Sequence, residues 1–414
     1  MLIRRILIII SILSAVLFLT YSAVKSTKLT NGFASHYTLS RLLLTEGTIE
    51  KAYDTTYFNQ KINEYGFNNI KDLPNTPTSS FSLLPIAWME PTPAKMAWVG
   101  ISVIAVFLSI AALFTAFEIN YKSSLGLVLI SITFLFYPLY YNSLLGQSYS
   151  VMLLFFSAAI YGLKKNNLWL ASVSIAFILL YRGYGIIPLL ALLLSKKYKE
   201  FFAVVFITLV IILVTLPLIH IDSWILFYTR IFSMFGLNED ASNTAYQTII
   251  SFLSHLMVFN EFKNPHSLLN IPQTYIYYTV QISGLVAVYF ISKGLYKKNI
   301  IALFAVSIAL NVLFAPIAED YSNVLYLPLI YLVAKLIYEN RKSLKSEQIF
   351  FISGVILLAT SINFRALQFS DFPIYLLAYP RLYGAILIIT TLLITVSKTK
   401  TPLPSPNKTV KERV

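Results

Sequence analysis

Residues 168–199 read LWLASVSIAFILLYRGYGIIPLLALLLSKKYK, and this stretch gives the clearest indication of the fold class. The apolar run 168–194 is longer than one membrane crossing of about 17–25 residues, and Arg182-Gly183-Tyr184-Gly185 and Pro188 interrupt it. Lysines stand before it and after it, and lysines collect on the cytoplasmic side of a membrane. The run is therefore predicted to go out and return as two short helices that meet near Arg182. Backbone freed at such a break must face protein or water, which predicts a position for Arg182 away from lipid.

The composition of the whole chain supports a membrane protein. Of the 414 residues, 57% are hydrophobic and 12% are charged, whereas a soluble domain carries about 25% charged residues. The net charge of +14 comes from Lys and Arg in short clusters between apolar runs, which indicates membrane orientation rather than nucleic-acid binding. The chain contains no Cys, so disulfides, thiolate nucleophiles and Cys metal sites are excluded.

The apolar runs predict an all-α polytopic integral membrane protein with about 12 transmembrane or re-entrant helices. With the hairpin counted as two, the runs are 6–24, 96–117, 124–142, 149–163, 168–194, 201–219, 276–292, 299–314, 322–338, 348–363 and 381–397. Every turn predicted to be cytoplasmic carries Lys or Arg, and most Asp and Glu fall on the opposite side. The prediction is a plasma-membrane protein with both termini in the cytoplasm, whose chemistry takes place on the outer face.

Two long segments, 25–95 and 220–275, are predicted outside, as loops of one membrane-embedded domain over residues 1–397. In the second, the apolar stretches 224–236 and 245–259 are interpreted as interfacial helices, because a single crossing there would invert all later charges. The tail 398–414 is predicted to be a basic, disordered cytoplasmic segment attracted to anionic lipid.

Glu319 and Asp320 occupy a very short predicted outer turn. Adjacent carboxylates at a membrane face are costly to desolvate, so they are interpreted either as a base, a metal ligand or an acceptor for sugar hydroxyls, or as a solvated turn. Arg182 could bind a phosphate through two parallel hydrogen bonds, or its side chain could extend to the membrane interface without binding a ligand.

Other candidates lie in the first outer segment, where Asp54 and Glu46 are either bases or loop and cap residues. His36 and Arg41 could face a phosphate. The four His are scattered without metal-ligand spacing, and there is no phosphate-binding glycine loop. No cofactor is expected apart from a divalent cation, Mg²⁺ or Mn²⁺, whose requirement the sequence leaves open.

Three stretches resemble glycosyltransferase family 87, the polyprenyl-phosphate-mannose-dependent type within the GT-C class. They are GFASHY at 32–37 with LLLTEG at 42–47 and Tyr53-Asp54, then Gly146-Gln147 with LYRGYG at 180–185, and finally APIAEDY at 315–321. The family's acidic base would fall at Gly32, its hairpin Lys at Arg182, the Pro of that hairpin at Gly185, and its turn His at Tyr321. The missing acid implies a different sugar or acceptor, a base recruited from Asp54 or Glu319, or an inactive relative.

The resemblance implies a GT-C-like fold and a hexose, mannose by expectation, transferred from a polyprenyl-phosphate donor to a lipid or glycan acceptor on the outer face. Arg182 would bind the phosphate with help from Arg41, His36 or Arg230, and Gln147 would contact substrate. Asp54 is the first candidate for the base, followed by Glu319 and Asp320. The partners would be these substrates and membrane lipids, with no nucleic acid. The alternatives are a lipid-linked glycan ligase or polymerase, a transporter of envelope glycolipids, and a non-catalytic relative.

Overall fold

The computed structural model describes residues 2–231, 239–295, 299–340, 345–361 and 364–398. Within these ranges the regular elements are helical, apart from one isolated antiparallel bridge between Asn260 and Asn264. In chain order the α-helices are α1 (Leu2–Lys25), α2 (Asn31–Glu46), α3 (Thr55–Glu64), α4 (Pro91–Ala116), α5 (Ser124–Leu135), α6 (Tyr137–Leu145), α7 (Tyr149–Lys164), α8 (Leu168–Arg182), α9 (Ile186–Leu194), α10 (Tyr198–Ile219), α11 (Ile221–Leu226), α12 (Ile249–Met257), α13 (Gln273–Leu295), α14 (Ile300–Leu313), α15 (Leu327–Glu339), α16 (Lys345–Ala359) and α17 (Pro380–Lys398). The predicted all-α membrane class is confirmed.

Six helical segments of the described chain are long and apolar enough to cross a membrane, and α5 with α6 makes a seventh if that pair, bent by 41°, is one span. The six are α1, α4, α10, α13, residues 320–339 and α17. The other predicted runs are shorter helices, among them α7, α8 and α14. Each of the predicted apolar runs thus corresponds to a helix, although only about half of these helices have the length of a full crossing.

The centre of the bundle is formed by α14 and α15, whose side chains are nearly all buried, with α7 packed against α4 and α8. The outside is apolar as well: on α10, Leu213 is 65% and Val214 71% exposed. A helix that is hydrophobic all round and exposes that surface fits a lipid environment.

The break predicted around Arg182 is present as two consecutive helices, and the return of the chain across the membrane at this point stays a prediction. Helix α8 ends at Arg182 and α9 begins at Ile186, with Gly183 between them at φ 70°. That left-handed conformation suits glycine because it has no Cβ. The turn therefore ends α8 at Arg182 and places the guanidinium at the carbonyl end of the helix, where a cation is stabilised by the helix dipole.

The first long segment, 25–95, is a folded unit rather than an open loop. Its helix α2 is almost entirely buried, and Phe33, Tyr53 and Phe58 form a second hydrophobic core with Phe227 and Ile231 of the second long segment. In that second segment, α11 overlaps the start of the first stretch predicted to be interfacial, and α12 lies within the second. Residues 232–238 and the predicted tail from residue 399 lie outside the described residues.

The bundle has two distinct ends. One carries the turns predicted to be cytoplasmic, where Lys164 forms a salt bridge with Glu118 at 2.7 Å and Lys335 pairs with Glu339 at 3.5 Å. The other end carries the two long segments and Arg182. The assignment of these ends to the cytoplasm and the exterior stays a prediction from the positive charges.

Candidate functional site

A cavity of about 240 Å³ lies where α8 and α9 meet, bounded by α13 and the end of α14. Its polar lining includes Asn75, Thr76, Tyr149, Arg182, Gln281 and Asn311. Its apolar lining includes Ile186, which is 52% exposed on the bundle surface. The cavity therefore joins a cationic polar interior to an apolar surface of the bundle, which suits an amphiphilic molecule.

Arg182 is the charged group of this cavity. Its Nη2 donates to Oε1 of Gln147 at 3.1 Å and to Nε2 of His36 at 3.1 Å. Its guanidinium carbon lies 5.5 Å from the centroid of the Tyr149 ring, and its buried Nε has no hydrogen-bond partner. Among the described residues, no carboxylate forms a salt bridge with Arg182. A partly buried guanidinium held by neutral groups retains its positive charge for an anion.

His36 must be the neutral acceptor in its contact with Arg182. A guanidinium only donates, so Nε2 of His36 carries no proton, and Nδ1 faces the hydroxyl of Tyr181 at 3.4 Å. Burial, and then the charge of Arg182, hold the pKa of His36 well below its usual range. Near neutral pH the cavity therefore has one positive charge at this point rather than two.

Gly32 makes room for Gln147. A Cβ built on Gly32 would lie 2.4 Å from Nε2 of Gln147, so any other residue there would displace the amide that accepts from Arg182. The position at which the resemblance expects an acidic side chain is thus filled by a neutral amide from another part of the chain. The turn that carries Gln147 is fixed by Lys95, which donates to the carbonyls of Lys28 and Leu144.

A strap formed by residues 72–80 crosses beside Arg182. Thr76 and Thr78 donate to the carbonyls of Tyr181 and Leu180, the latter at 2.6 Å. At the other end of the strap, Ser35 of α2 donates to the carbonyl of Leu73 at 2.6 Å. These bonds attach the first long segment to the end of α8.

Asp72 begins this strap and was not selected from the sequence. It is partly buried, and its Oδ1 accepts from the backbone N–H of Leu73 at 2.8 Å. The pKa of its carboxyl is raised to about 7, chiefly by burial and to a smaller extent by the charge of Glu319, while the Leu73 hydrogen bond and the charge of Arg182 oppose the increase. The sequence signal was weak, because Asp72 is one of several acids in a segment without helical or strand periodicity.

The two carboxylates of the 319–320 turn separate. Asp320 forms a salt bridge with the buried Arg381 at 2.6 Å, and Arg381 also donates to the carbonyl of Thr360 at 2.9 Å. Glu319 is half-buried on the side of Asp72 and Tyr321, and it acts electrostatically on both. Of these two acids, Glu319 therefore acts on the strap and on Tyr321, whereas the charge of Asp320 is used in an ion pair.

The remaining predicted residues do not line the Arg182 cavity. Asp54 caps α3 and accepts from the N–H groups of Thr56 and Tyr57. It shares a separate surface groove with Arg230. Arg41 donates to the carbonyl of Ala87. The structure thus brings His36, Gln147 and Arg182 into contact, places Glu319 where its charge acts on Asp72 and Tyr321, and leaves Asp54, Arg41 and Arg230 elsewhere.

A divalent cation would have to rely on few protein ligands. Within the described ranges, no group of three or more His, Asp or Glu side chains is arranged to hold a metal ion. The requirement for Mg²⁺ or Mn²⁺ stays an open prediction.

Fold and site together define a helical membrane protein with a cationic cavity beside the folded segment 25–95. The sequence model of glycosyltransferase family 87 matches residues 74–317, which is more than half of the chain and includes Arg182, Gln147 and the strap from its third residue. The chain belongs to glycosyltransferase family 87. A search of curated proteins finds no match. The protein is therefore a membrane glycosyltransferase by family, with a sugar donor and an acceptor as its substrates.

Proposed function

We propose that this protein transfers a hexose from a polyprenyl-phosphate donor to a lipid or glycan acceptor on the outer face of the plasma membrane. We expect the hexose to be mannose. The observation that carries the proposal is Arg182, a guanidinium in a cavity with no carboxylate salt bridge in the described part of the chain. A phosphate linked to a lipid would supply the missing anion.

The shape of the cavity supports a lipid-linked donor. Its apolar lining reaches the bundle surface at Ile186, so a prenyl chain could stay in apolar surroundings while its phosphate meets Arg182. The donor's sugar ring would face tyrosines, because the Tyr149 and Tyr321 rings lie 5.1 Å apart beside Arg182. Aromatic rings provide stacking surface for the apolar faces of a sugar.

The chemistry would be a single displacement at the anomeric carbon. The acceptor hydroxyl loses its proton to a carboxylate and bonds to the anomeric carbon, while the bond from that carbon to the phosphate oxygen breaks. The electron pair leaves with the polyprenyl phosphate, whose growing negative charge is stabilised by Arg182. A donor already activated by phosphate requires no nucleotide at the active site.

The proposal is tested by sugar transfer with the purified protein in lipid nanodiscs. Polyprenyl-phosphate mannose, glucose and arabinose are offered separately with a mixed pool of envelope lipids as acceptor, with and without Mg²⁺. Transfer of one sugar, with loss of that transfer in Arg182→Ala, supports the proposal and identifies the donor. Folded wild-type protein that neither transfers a sugar nor hydrolyses any donor would favour a non-catalytic relative instead.

A further inference from the structure

We propose that Asp72 is the catalytic base, the carboxylate that removes the proton from the acceptor hydroxyl during sugar transfer. This inference rests on the proposed function and adds a residue to it. Asp72 lies at the start of the strap beside Arg182, in electrostatic contact with both Arg182 and Glu319.

The position of Asp72 is fixed by its neighbours. Its backbone N–H donates to Oδ1 of Asn59 at 2.9 Å, and its own Oδ1 accepts from the N–H of Leu73 at 2.8 Å. The next residue is tied to α2, because Leu73 accepts from Ser35, the neighbour of His36. Three residues further on, Asn75 lines the cavity of Arg182. The carboxylate is therefore held on a hydrogen-bonded segment that leads into the cavity lining at Asn75, and a proton acceptor needs such a fixed position.

The two oxygens of Asp72 differ in their hydrogen bonding. Oδ1 is used by Leu73, whereas Oδ2 makes no hydrogen bond to any residue of the described chain. Asp54 differs, because its Oδ1 accepts two backbone N–H groups at the start of α3 and stabilises that helix as a cap. Asp320 also differs, since its carboxylate is paired with Arg381.

The surroundings of Asp72 adjust its proton affinity to the task. Burial is the largest influence on its pKa; the charge of Glu319, from the turn before α15, raises the pKa as well, and the charge of Arg182 from α8 lowers it. Tyr321 of the same turn lies within range of the Asp72 charge. The net result is a pKa of about 7 for Asp72. A general base is most effective when its pKa lies near the working pH, because it is then both deprotonated and strongly basic.

Glu319 acts on the reaction through Asp72 and is therefore a positioning residue. Its negative charge raises the pKa of Asp72, so removing that charge makes Asp72 a weaker base that stays ionised at lower pH. The acidic limb of the kcat profile should then move to lower pH in Glu319→Gln. A purely structural role for Glu319 would change stability without shifting this limb.

The test compares Asp72→Asn, Asp72→Glu and Glu319→Gln with wild type in the nanodisc assay, with kcat and both KM values measured from pH 5 to 9. Asn at position 72 keeps an oxygen that accepts from Leu73, so the strap should stay in place, and thermal unfolding verifies this. The matched control is Glu64→Gln, which removes an exposed carboxylate of the same segment that pairs only with Lys61 and Gln60.

The expected result is a fall in kcat of about 10²–10⁴-fold in Asp72→Asn, the range for loss of a general base, with the donor KM changed less than about 3-fold. Asp72→Glu should recover part of the rate, and Glu64→Gln should match wild type. Transfer by wild type with Asp72→Asn retaining more than one tenth of the rate would overturn this inference alone. Absence of transfer by folded wild type would overturn the proposed function and this inference together.

Discussion

Arg182 and Arg381 both lie near a tyrosine ring, but they differ in their charged partners within the described chain. Each has its guanidinium carbon near a tyrosine ring, Arg182 at 5.5 Å from Tyr149 and Arg381 at 5.7 Å from Tyr137. Arg381 is only 4% exposed and forms a salt bridge with Asp320 at 2.6 Å. Arg182 instead meets the neutral His36 and Gln147, and it lines a cavity.

The difference between them separates structural from functional charge. A buried ion pair satisfies both partners and becomes costly to break, so Arg381 and Asp320 fix the junction of the turn with α17. A guanidinium held by neutral acceptors keeps its charge for a ligand, and the water-poor surroundings strengthen that attraction. Adjacent acids in the sequence, Glu319 and Asp320, therefore have different partners in the fold.

The largest effect on the rate of sugar transfer is expected from removing the positive charge of Arg182. Arg182→Ala should lower sugar transfer by about 10³-fold or more, because it removes the cation that stabilises the departing phosphate. Arg182→Lys should give an intermediate rate, since an ammonium supplies charge without a bidentate fork. Transfer rates in nanodiscs measure this, and unchanged thermal unfolding of both variants is the control. An alanine variant with a wild-type rate would contradict the assignment.

Removal of the carboxylate from the Arg381–Asp320 salt bridge should lower the stability of the protein. Asp320→Asn leaves Arg381 as a buried charge without its carboxylate, which typically costs about 3–5 kcal/mol. The midpoint of thermal unfolding in nanodiscs should fall clearly. The double variant Asp320→Leu with Arg381→Met removes both charges, and it should recover most of the loss. Equal unfolding midpoints for wild type and Asp320→Asn would mean that the pair is not structural.

A carboxylate introduced beside Arg182 should pair with the guanidinium and convert it into a second structural ion pair. His36→Asp places a carboxylate beside Nη2 of Arg182, where it competes with the donor phosphate. Transfer should fall by about 10²-fold, chiefly through a higher donor KM, on the scale of one charge-assisted interaction of about 3 kcal/mol. His36→Gln keeps a neutral acceptor and should stay within about 10-fold of wild type. Similar donor KM values in the two variants would argue against a phosphate at Arg182.

The smallest effect tests the support of Arg182 by Gln147. A methyl group at Gly32 would collide with the Gln147 amide, so Gly32→Ala should free that side chain and cost about 10-fold in rate, the value of one hydrogen bond. Gln147→Ala should have a similar effect, and the double variant should be no slower than either single one. Additive losses would show that Gly32 acts by another route.

Much of the fold could be predicted from the sequence, because a membrane imposes long apolar runs and clustered cations. The hairpin at Arg182 and the helices of the other apolar runs follow from hydrophobicity and from the rule for positive charges. The folding of the first long segment could not be predicted this way. Its core joins Phe33 and Tyr53 to Phe227, a contact between distant parts of the chain that no local pattern encodes.

The candidate site was predictable where charge stood out against apolar sequence, as at Arg182 and Glu319. It was not predictable where polar residues are common, as in the strap. The environment of Asp72 depends on hydrogen bonds such as that from Thr78 to Leu180, which joins residues 102 positions apart. Asp54 is the counterexample: the sequence favours it as a base, but the fold places its carboxylate at the start of α3.

The binding of a lipid-linked phosphate at Arg182 can be measured with the reaction product itself. Polyprenyl phosphate and the corresponding polyprenyl alcohol are titrated separately into nanodiscs that carry wild type or Arg182→Ala, and binding is measured by native mass spectrometry. We predict that wild type binds the phosphate at least about 10-fold more tightly than the alcohol, as expected for a charge-assisted contact, and that Arg182→Ala no longer distinguishes them. Equal preference for the phosphate in wild type and Arg182→Ala would show that Arg182 does not bind the lipid-linked phosphate.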